Sequence, residues 1–159
     1  GTINGYGGWV GSPSTSTLVQ TSVKYWGNKG VKINNADLSH GITNNVSYTN
    51  VWIDFYLMAT RYRQSDYPDI SGNASVAFYV NSNGNLTVLS NSTWVTTSVT
   101  IPSNTWQRFT INLDYVNKIW HLYRAGSEPN AMSVPVVRNV KFFRNYATSF
   151  RSWHLMQKI

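Results

Sequence analysis

The segment from Trp106 to Gly126, WQRFTINLDYVNKIWHLYRAG, constrains the fold of this chain more than any other. Before its centre, apolar side chains occupy every second position, at Phe109, Ile111 and Leu113. That spacing is the period of a β-strand with one buried face. After a polar turn at Asp114, an aromatic-rich run resumes the alternation and stops at a glycine. The segment therefore predicts an antiparallel hairpin in which Asp114 forms an Asx turn.

The rest of the chain has a strand-and-turn composition. Aromatic residues make up 14% of the 159 residues and charged residues only 12%, with Asn, Ser, Thr and Gly filling most of the remainder. No stretch sustains a helical period, and Pro or Gly recurs about every ten residues, a spacing typical of all-β sandwiches. The sequence predicts an all-β fold, a two-sheet antiparallel β-sandwich of the jelly-roll type. We expect one domain over residues 1–159, because this length can bury about 70% of the extended chain's surface.

Local patterns place several of the other strands. The segment 50–60 is the most hydrophobic in the chain and has apolar residues at both odd and even positions, so we expect both of its faces to be covered, with Trp52 in the core or at an edge. Residues 81–84 read as an Asn-Gly hairpin turn. Segments 136–143 and 149–156 are predicted to be strands that pair with each other.

Three segments together resemble a known family. They are Val51 to Tyr56 (VWIDFY), Phe78 to Leu86 (FYVNSNGNL) and the 106–126 hairpin. In order and spacing they are similar to the laminin-G-like, concanavalin-type jelly rolls of bacterial polysaccharide-associated proteins, over most of residues 50–126 and only loosely at the two ends. The resemblance implies a jelly-roll sandwich that binds sugar. It does not settle activity, because one sandwich hosts lectins, adhesion modules, hydrolases and lyases.

The sequence lacks the acid pair of a glycosidase. Glycoside hydrolysis needs two carboxyl groups close together, and the hydrolases of this fold carry Glu-x-Asp-x-x-Glu on one strand. Here the only glutamate is Glu128, in a loop, and no strand carries two acids. The Gln-x-His and Arg-x-Glu-Leu strands of alginate-lyase-like sandwiches are also absent, although Tyr, His, Arg and Asn are present. We predict a non-catalytic protein, with a lyase or hydrolase, or an adhesion or structural domain without a sugar ligand, as the alternatives.

No cofactor is expected. The chain has no cysteine, no histidine pair at metal-binding spacing and no phosphate-cradling glycine loop after a strand. Asp66 and Asp69 lie together in the polar loop 61–72 and could chelate calcium with backbone carbonyls, although two carboxylates are few for such a site.

Aromatic and basic residues indicate the ligand class. Sugar rings stack on Trp and Tyr, and their hydroxyl groups bond to polar side chains at the rim. Thirteen Lys and Arg against six acids give a net charge of +7, and arginine forks match carboxylate or sulfate oxygens. We therefore predict binding of an anionic polysaccharide, sulfated or uronate-containing, with algal polysaccharides as candidates. A basic surface that serves only solubility is the alternative.

Side-chain alternation suggests which residues bind. Tyr56, His121 and Tyr123 are predicted to share one open sheet face, joined by residues from loops and the last strands. The predicted carbohydrate-binding residues are Tyr56, Arg61, Arg63, His121, Tyr123, Arg144 and Trp153. Trp26 stands in a Gly/Asn turn and is predicted to be exposed.

The setting is inferred from what the chain contains. No run approaches the roughly 18 apolar residues of a membrane span, and no leader pattern opens the chain. We expect a mature module from a secreted or extracellular bacterial protein, monomeric and tethered to a catalytic domain. No nucleic-acid partner is expected, because no helix-turn-helix, zinc ligand set or aromatic RNA-binding strand is present.

Overall fold

A computed structural model describes residues 1–41, 49–59, 74–125, 134–142 and 152–157, the backbone alone at 134 and 152–157. The described residues form a short 3₁₀ turn at Ser14–Ser16 and a series of β-strands. The strands are β1 (Trp9–Ser12), β2 (Thr17–Gln20), β3 (Gly30–Ile33), β4 (Ala36–Gly41), β5 (Asn50–Met58), β6 (Phe78–Val80), β7 (Asn85–Ser90), β8 (Thr93–Thr100), β9 (Trp106–Asp114), β10 (Ile119–Ala125), β11 (Val134–Lys141) and β12 (Ser152–Gln157). All their pairings are antiparallel, so the predicted all-β class is confirmed.

The chain divides into two compact units. The first comprises Gly1–Val46 with Arg151–Ile159, and the second comprises Ser47–Phe150. One jelly-roll domain over residues 1–159 stays a prediction.

The first unit contains a sheet of order β1-β4-β12 and a two-stranded sheet of β2 and β3. β12 runs antiparallel to β4, whereas β11 pairs with β10 in the second unit. The predicted pairing of segments 136–143 and 149–156 is therefore wrong. The alternation of apolar residues shows that each segment is a strand. The strand that pairs with it is decided by contacts with residues distant in sequence.

The second unit is built like a sandwich. A four-stranded sheet of order β11-β10-β9-β5 and a three-stranded sheet of order β6-β7-β8 both contribute side chains to one hydrophobic core. The β9 residues Phe109, Ile111 and Leu113 are buried in it, as predicted. Phe109 stacks against Phe55 at 5.7 Å between ring centroids, and β10 contributes the fully buried Trp120. The inward faces of β5, β9 and β10 therefore define an opposite, outward face.

Both predicted turns are present. Asp114 Oδ1 accepts hydrogen bonds of 2.9 Å from the backbone N–H groups of Val116 and Asn117, an Asx turn that closes the β9–β10 hairpin. The hydrogen bond from the Asn117 backbone contributes most to lowering the pKa of Asp114. In the β6–β7 hairpin, Gly84 takes the left-handed conformation with φ of 81°, which favours glycine.

Strand β5 departs from its prediction. Val51, Ile53 and Phe55 pack against the core, but Trp52 on the opposite face is 60% exposed and Asp54 is exposed as well. The expectation that both faces are covered is wrong, and Trp52 lies outside the core, on an edge strand of the described sheet. Apolar residues on both faces of a strand do not by themselves show which face is buried.

Candidate binding face

The outward side of β5, β9 and β10 gathers polar and aromatic side chains into neighbouring rows. Residues directly opposite each other on paired strands point to the same side of a sheet. The register places Trp52, Asn112 and His121 in one row, and Asp54, Thr110 and Tyr123 in the next. Tyr56 and Arg108 follow in a third row. We call this set the outer face: Asn50, Trp52, Asp54, Tyr56, Arg108, Thr110, Asn112, His121 and Tyr123.

Three rings form an aromatic patch on the outer face. The Trp52 ring centroid lies 5.8 Å from that of Tyr123, with an interplanar angle of 35°. His121 lies 6.4 Å from Tyr123 on the same strand. Since Trp52 belongs to an edge strand and keeps more than half of its surface exposed, its indole is open to a flat apolar ligand.

An ion pair fixes the polar side chains next to this patch. The Arg108 guanidinium donates to both carboxylate oxygens of Asp54, from Nε at 3.0 Å to Oδ1 and from Nη2 at 2.7 Å to Oδ2. The Thr110 hydroxyl donates to Asp54 Oδ1 at 2.8 Å. The hydrogen bond from Arg108 is the largest cause that lowers the pKa of Asp54, against an opposing effect of burial. The pair is neutral overall, and the Arg108 guanidinium also lies 5.9 Å from the Tyr56 ring centroid.

His121 is oriented by the neighbouring strand. Its Nδ1 accepts a hydrogen bond of 3.3 Å from the backbone N–H of Asn139. That N–H is available because the β10–β11 register shifts between Trp120 and Leu122, and Asn139 has a left-handed φ of 54°. A neutral imidazole that accepts at Nδ1 carries its proton on Nε2. His121 can therefore offer an N–H donor to a ligand.

Amide side chains complete the row beside Trp52. Asn112 is 7% exposed, and its Nδ2 donates to Oδ1 of Asn50. Because Asn112 sits between Trp52 and His121 in register, this bond fixes polar groups at the margin of the aromatic patch.

The predicted site residues fall into three groups. Tyr56, His121 and Tyr123 do lie on one sheet face. Trp153 belongs to the first unit, on β12 in register with His40. The other three predicted binding residues and both aspartates considered for calcium lie outside the described residues: Arg61, Arg63, Arg144, Asp66 and Asp69.

Sequence reasoning left Trp52, Asp54 and Arg108 out of the predicted binding site. Trp52 and Asp54 could have been included, because they are four and two residues before Tyr56 on one strand, and every second residue of a strand lies on the same side. The predicted exposure of Trp26 is confirmed at 77%.

The outer face lacks the acids that glycosidic chemistry uses. Asp54 is the single carboxylate of the named set, and Asp114, in register with Asn50, lies two rows further on, about 14 Å away at the rise of a strand. The carboxylate oxygens of both residues accept hydrogen bonds. Within the described ranges, no group of three or more His, Cys, Asp or Glu side chains could hold a metal ion. A search of the same ranges found no helix with the length and apolar character needed to span a membrane.

Neither a protein-family model, nor a curated protein, nor a solved structure matches this chain. The resemblance to laminin-G-like domains and the jelly-roll connectivity stay predictions.

Proposed function

We propose that this chain is a non-catalytic carbohydrate-binding module that binds a polysaccharide across its outer face. One observation carries the proposal: a tryptophan in the middle of a strand, 60% exposed, beside a tyrosine ring 5.8 Å away. A large ring left open to water forgoes hydrophobic stabilisation, and such a ring beside polar groups is what sugar recognition uses. Trp52 would stack on the apolar face of a sugar ring.

The polar groups around the patch suit sugar hydroxyls. His121 offers an N–H donor, and Tyr56 has a hydroxyl group that can donate or accept. Arg108 and Asp54 hold each other in place, so they lose little side-chain entropy when a ligand arrives. Along β5, Trp52 and Tyr56 are four residues apart, about 14 Å at the rise of a strand. An open face of that length suits a segment within a polysaccharide chain better than a chain end.

The proposed ligand is anionic, as the chain's composition suggests. The net charge is +7, and β11, beside the outer face, carries exposed Arg138 and Lys141. The ion pair on the face itself contributes no net charge, so anionic groups would be met at its margin. In this proposal the module has the jelly-roll fold and is secreted by a bacterium. It holds an attached enzyme on its substrate, which raises the local concentration.

A polysaccharide lyase is the second candidate. It is favoured by His121 and Tyr123 lying side by side on one face with Asp54 and Arg108. Two observations weigh against it. The Nε2 of a neutral His121 that accepts at Nδ1 already holds its proton and cannot take another. The lowered pKa of Asp54 makes it a weak base and keeps it ionised at neutral pH, so it cannot donate a proton either.

Affinity electrophoresis in gels containing carrageenan, fucoidan, ulvan, agar or alginate tests the binding proposal. We expect retention by at least one polysaccharide and a loss of about ten- to thirtyfold in affinity for Trp52→Ala, the range of a tryptophan that anchors an interface. Trp26→Ala is the matched control, because Trp26 is also an exposed tryptophan but belongs to the first unit, whereas Trp52 belongs to the second. Retention that Trp52→Ala leaves unweakened, or that falls equally with Trp26→Ala, would contradict the proposal.

The same mixtures separate binding from catalysis. A binding module leaves the polymer intact, so neither reducing ends nor ultraviolet-absorbing unsaturated ends accumulate with time. Unsaturated ends that appear with wild-type protein and not with His121→Ala would establish the lyase instead. Circular dichroism spectra of each variant show whether it is folded.

A further inference from the structure

We propose a second binding site in the second unit, a pocket for an acidic sugar substituent at one end of its strands. The cavity has a volume of about 350 Å³ and is lined by Asn91, Asn117, Lys118, Lys141 and Phe142. That volume lies at the lower end of small-ligand pockets. We call it the lysine pocket. The inference rests on the proposed function only in naming a polysaccharide as the source of the acidic group.

Three separate elements bring the lining together. Asn91 lies in the turn between β7 and β8, Asn117 and Lys118 lie in the β9–β10 turn, and Lys141 ends β11. The backbone N–H of Phe142 donates to the Lys118 carbonyl at 2.9 Å, which ties the end of β11 to the turn. In register, Lys141 is opposite Ile119, the residue next to Lys118. The two lysines therefore lie close together, Lys118 in the turn and Lys141 at the end of the neighbouring strand.

Lys118 occupies a position where a side chain is costly. Its φ is +55°, in the left-handed region that glycine adopts most readily and asparagine tolerates. Strained non-glycine residues of this kind cluster at functional sites. The ammonium group lies 6.0 Å from the ring centroid of Tyr115, a cation–π distance that holds it near the turn. A lysine at this costly position is consistent with a role for its positive charge in binding an acidic group.

The chemistry of the lining selects an oxyanion. The pocket's described lining residues include two lysines and two asparagines, and no acid is among them. Asp114, the acid of the same turn, is engaged by the backbone N–H groups of Val116 and Asn117, and its Oδ2 accepts from Asn117 Nδ2 at 2.6 Å. A sulfate ester or a uronate carboxylate supplies acceptor oxygens for several such donors.

The position of the pocket links it to the outer face. Asn50, Asp114, Ile119 and Lys141 form one register row across the four strands. That row is the next one along from the row of Trp52, about 7 Å away at the rise of a strand. A polysaccharide that stacks on Trp52 and runs toward β11 would bring an acidic group to the lysine pocket. The pocket would thus supply the preference for anionic polymers that the neutral ion pair of the face does not.

Titrations followed by ¹H–¹⁵N correlation spectra test the pocket directly, with glucose 6-sulfate, glucuronic acid and neutral glucose as probes. We expect the two charged sugars, and not glucose, to shift the backbone amides of Asn117, Lys118 and Phe142. The stronger of the two identifies sulfate or carboxylate as the preferred group. Higher salt should weaken both responses, because exposed charges are screened.

Variants assign the effect to the two lysines. Lys118→Asn keeps a residue that tolerates the left-handed region, and Lys141→Gln keeps a polar side chain of similar reach. Each should weaken binding of the charged sugar by about two- to fivefold, as expected for an exposed charge contact. Lys24→Gln and Lys32→Gln, exposed lysines of the first unit, remove the same charge and should have no effect.

The failure of this inference can be distinguished from the failure of the proposed function. Trp52→Ala should leave the monosaccharide shifts at the pocket unchanged while it weakens polysaccharide retention. Wild-type spectra with no shifts at the pocket, or with equal shifts around Lys24 and Lys32, would overturn the lysine pocket whatever the gels show. Pocket shifts without any polysaccharide retention would support the pocket and overturn the proposed function.

Discussion

Replacing Asp54 with asparagine isolates the ion pair that organises the outer face. The carboxylate accepts three hydrogen bonds from Nε and Nη2 of Arg108 and one from the Thr110 hydroxyl. The side chains of Arg108 and Asp54 are 35% and 41% exposed, so the pair counts as a surface pair despite its two-point geometry. A well-oriented surface pair contributes about 1 kcal/mol at most, and a hydrogen bond about 1 kcal/mol.

Asparagine keeps one acceptor oxygen, so not all of this is lost. We expect Asp54→Asn to lower the free energy of unfolding at pH 7 by about 1.5 kcal/mol, roughly a tenfold change in the unfolding equilibrium. The pH dependence follows from the lowered pKa of Asp54. The stabilisation is complete above the unfolded-state pKa of about 3.9 and disappears as the pH falls through the lower folded-state pKa. Wild type and variant should therefore become equally stable in acid.

Urea titrations of both proteins at several pH values measure this difference. A stability gap that is present at pH 7 and closes as the pH falls through the lowered folded-state pKa would agree with a carboxylate that acts through its charge. A gap that persists unchanged in acid would show that Asp54 contributes by packing instead. Equal stabilities at pH 7 would mean that the ion pair does not hold the face together. Thr110→Val, which removes only the hydrogen bond from the hydroxyl group, gives the smaller loss for comparison.

Two packing predictions follow from the two units. Gly11→Ala should destabilise the first unit by about 3 kcal/mol or more, because a Cβ there would lie 1.7 Å from Thr17 Oγ1. Gly41→Ala, which meets nothing within 4 Å, is its control in thermal unfolding. In the second unit, Phe109→Ala should cost about 3–5 kcal/mol, because the side chain is 1% exposed and its removal leaves a cavity. Val116→Ala, at a position 68% exposed, should change the unfolding free energy by less than about 0.5 kcal/mol in the same urea titration.

Local patterns predicted the hairpins because their information is local. The alternation in β9 identified the buried positions, and an aspartate between two strand-like runs was enough to place the Asx turn. The same alternation placed Tyr56, His121 and Tyr123 on one face, which the register of β5, β9 and β10 bears out. Periodicity fixes the side of a strand, and it needs no knowledge of distant neighbours.

The sequence could not show which of two equally apolar strand faces is buried. It also could not show which distant strands pair with each other. Segment 50–58 is apolar at odd and even positions, and only the packing of Phe55 against the core leaves Trp52 outside. The pairing of β12 with β4 joins strands more than a hundred residues apart. The lysine pocket forms only where the β7–β8 turn, the β9–β10 turn and the end of β11 meet. Neither Lys118 nor Lys141 belongs to a recognisable sequence motif.

The most direct measurement follows the indole N–H signals of Trp52 and Trp26 while the wild-type protein is titrated with oligosaccharides cut from a polysaccharide that retains it. Binding across the outer face predicts a progressive shift of the Trp52 signal, with the backbone amides of His121 and Tyr123 moving in step and Trp26 unchanged. A saturating titration in which Trp52 stays still would contradict the account.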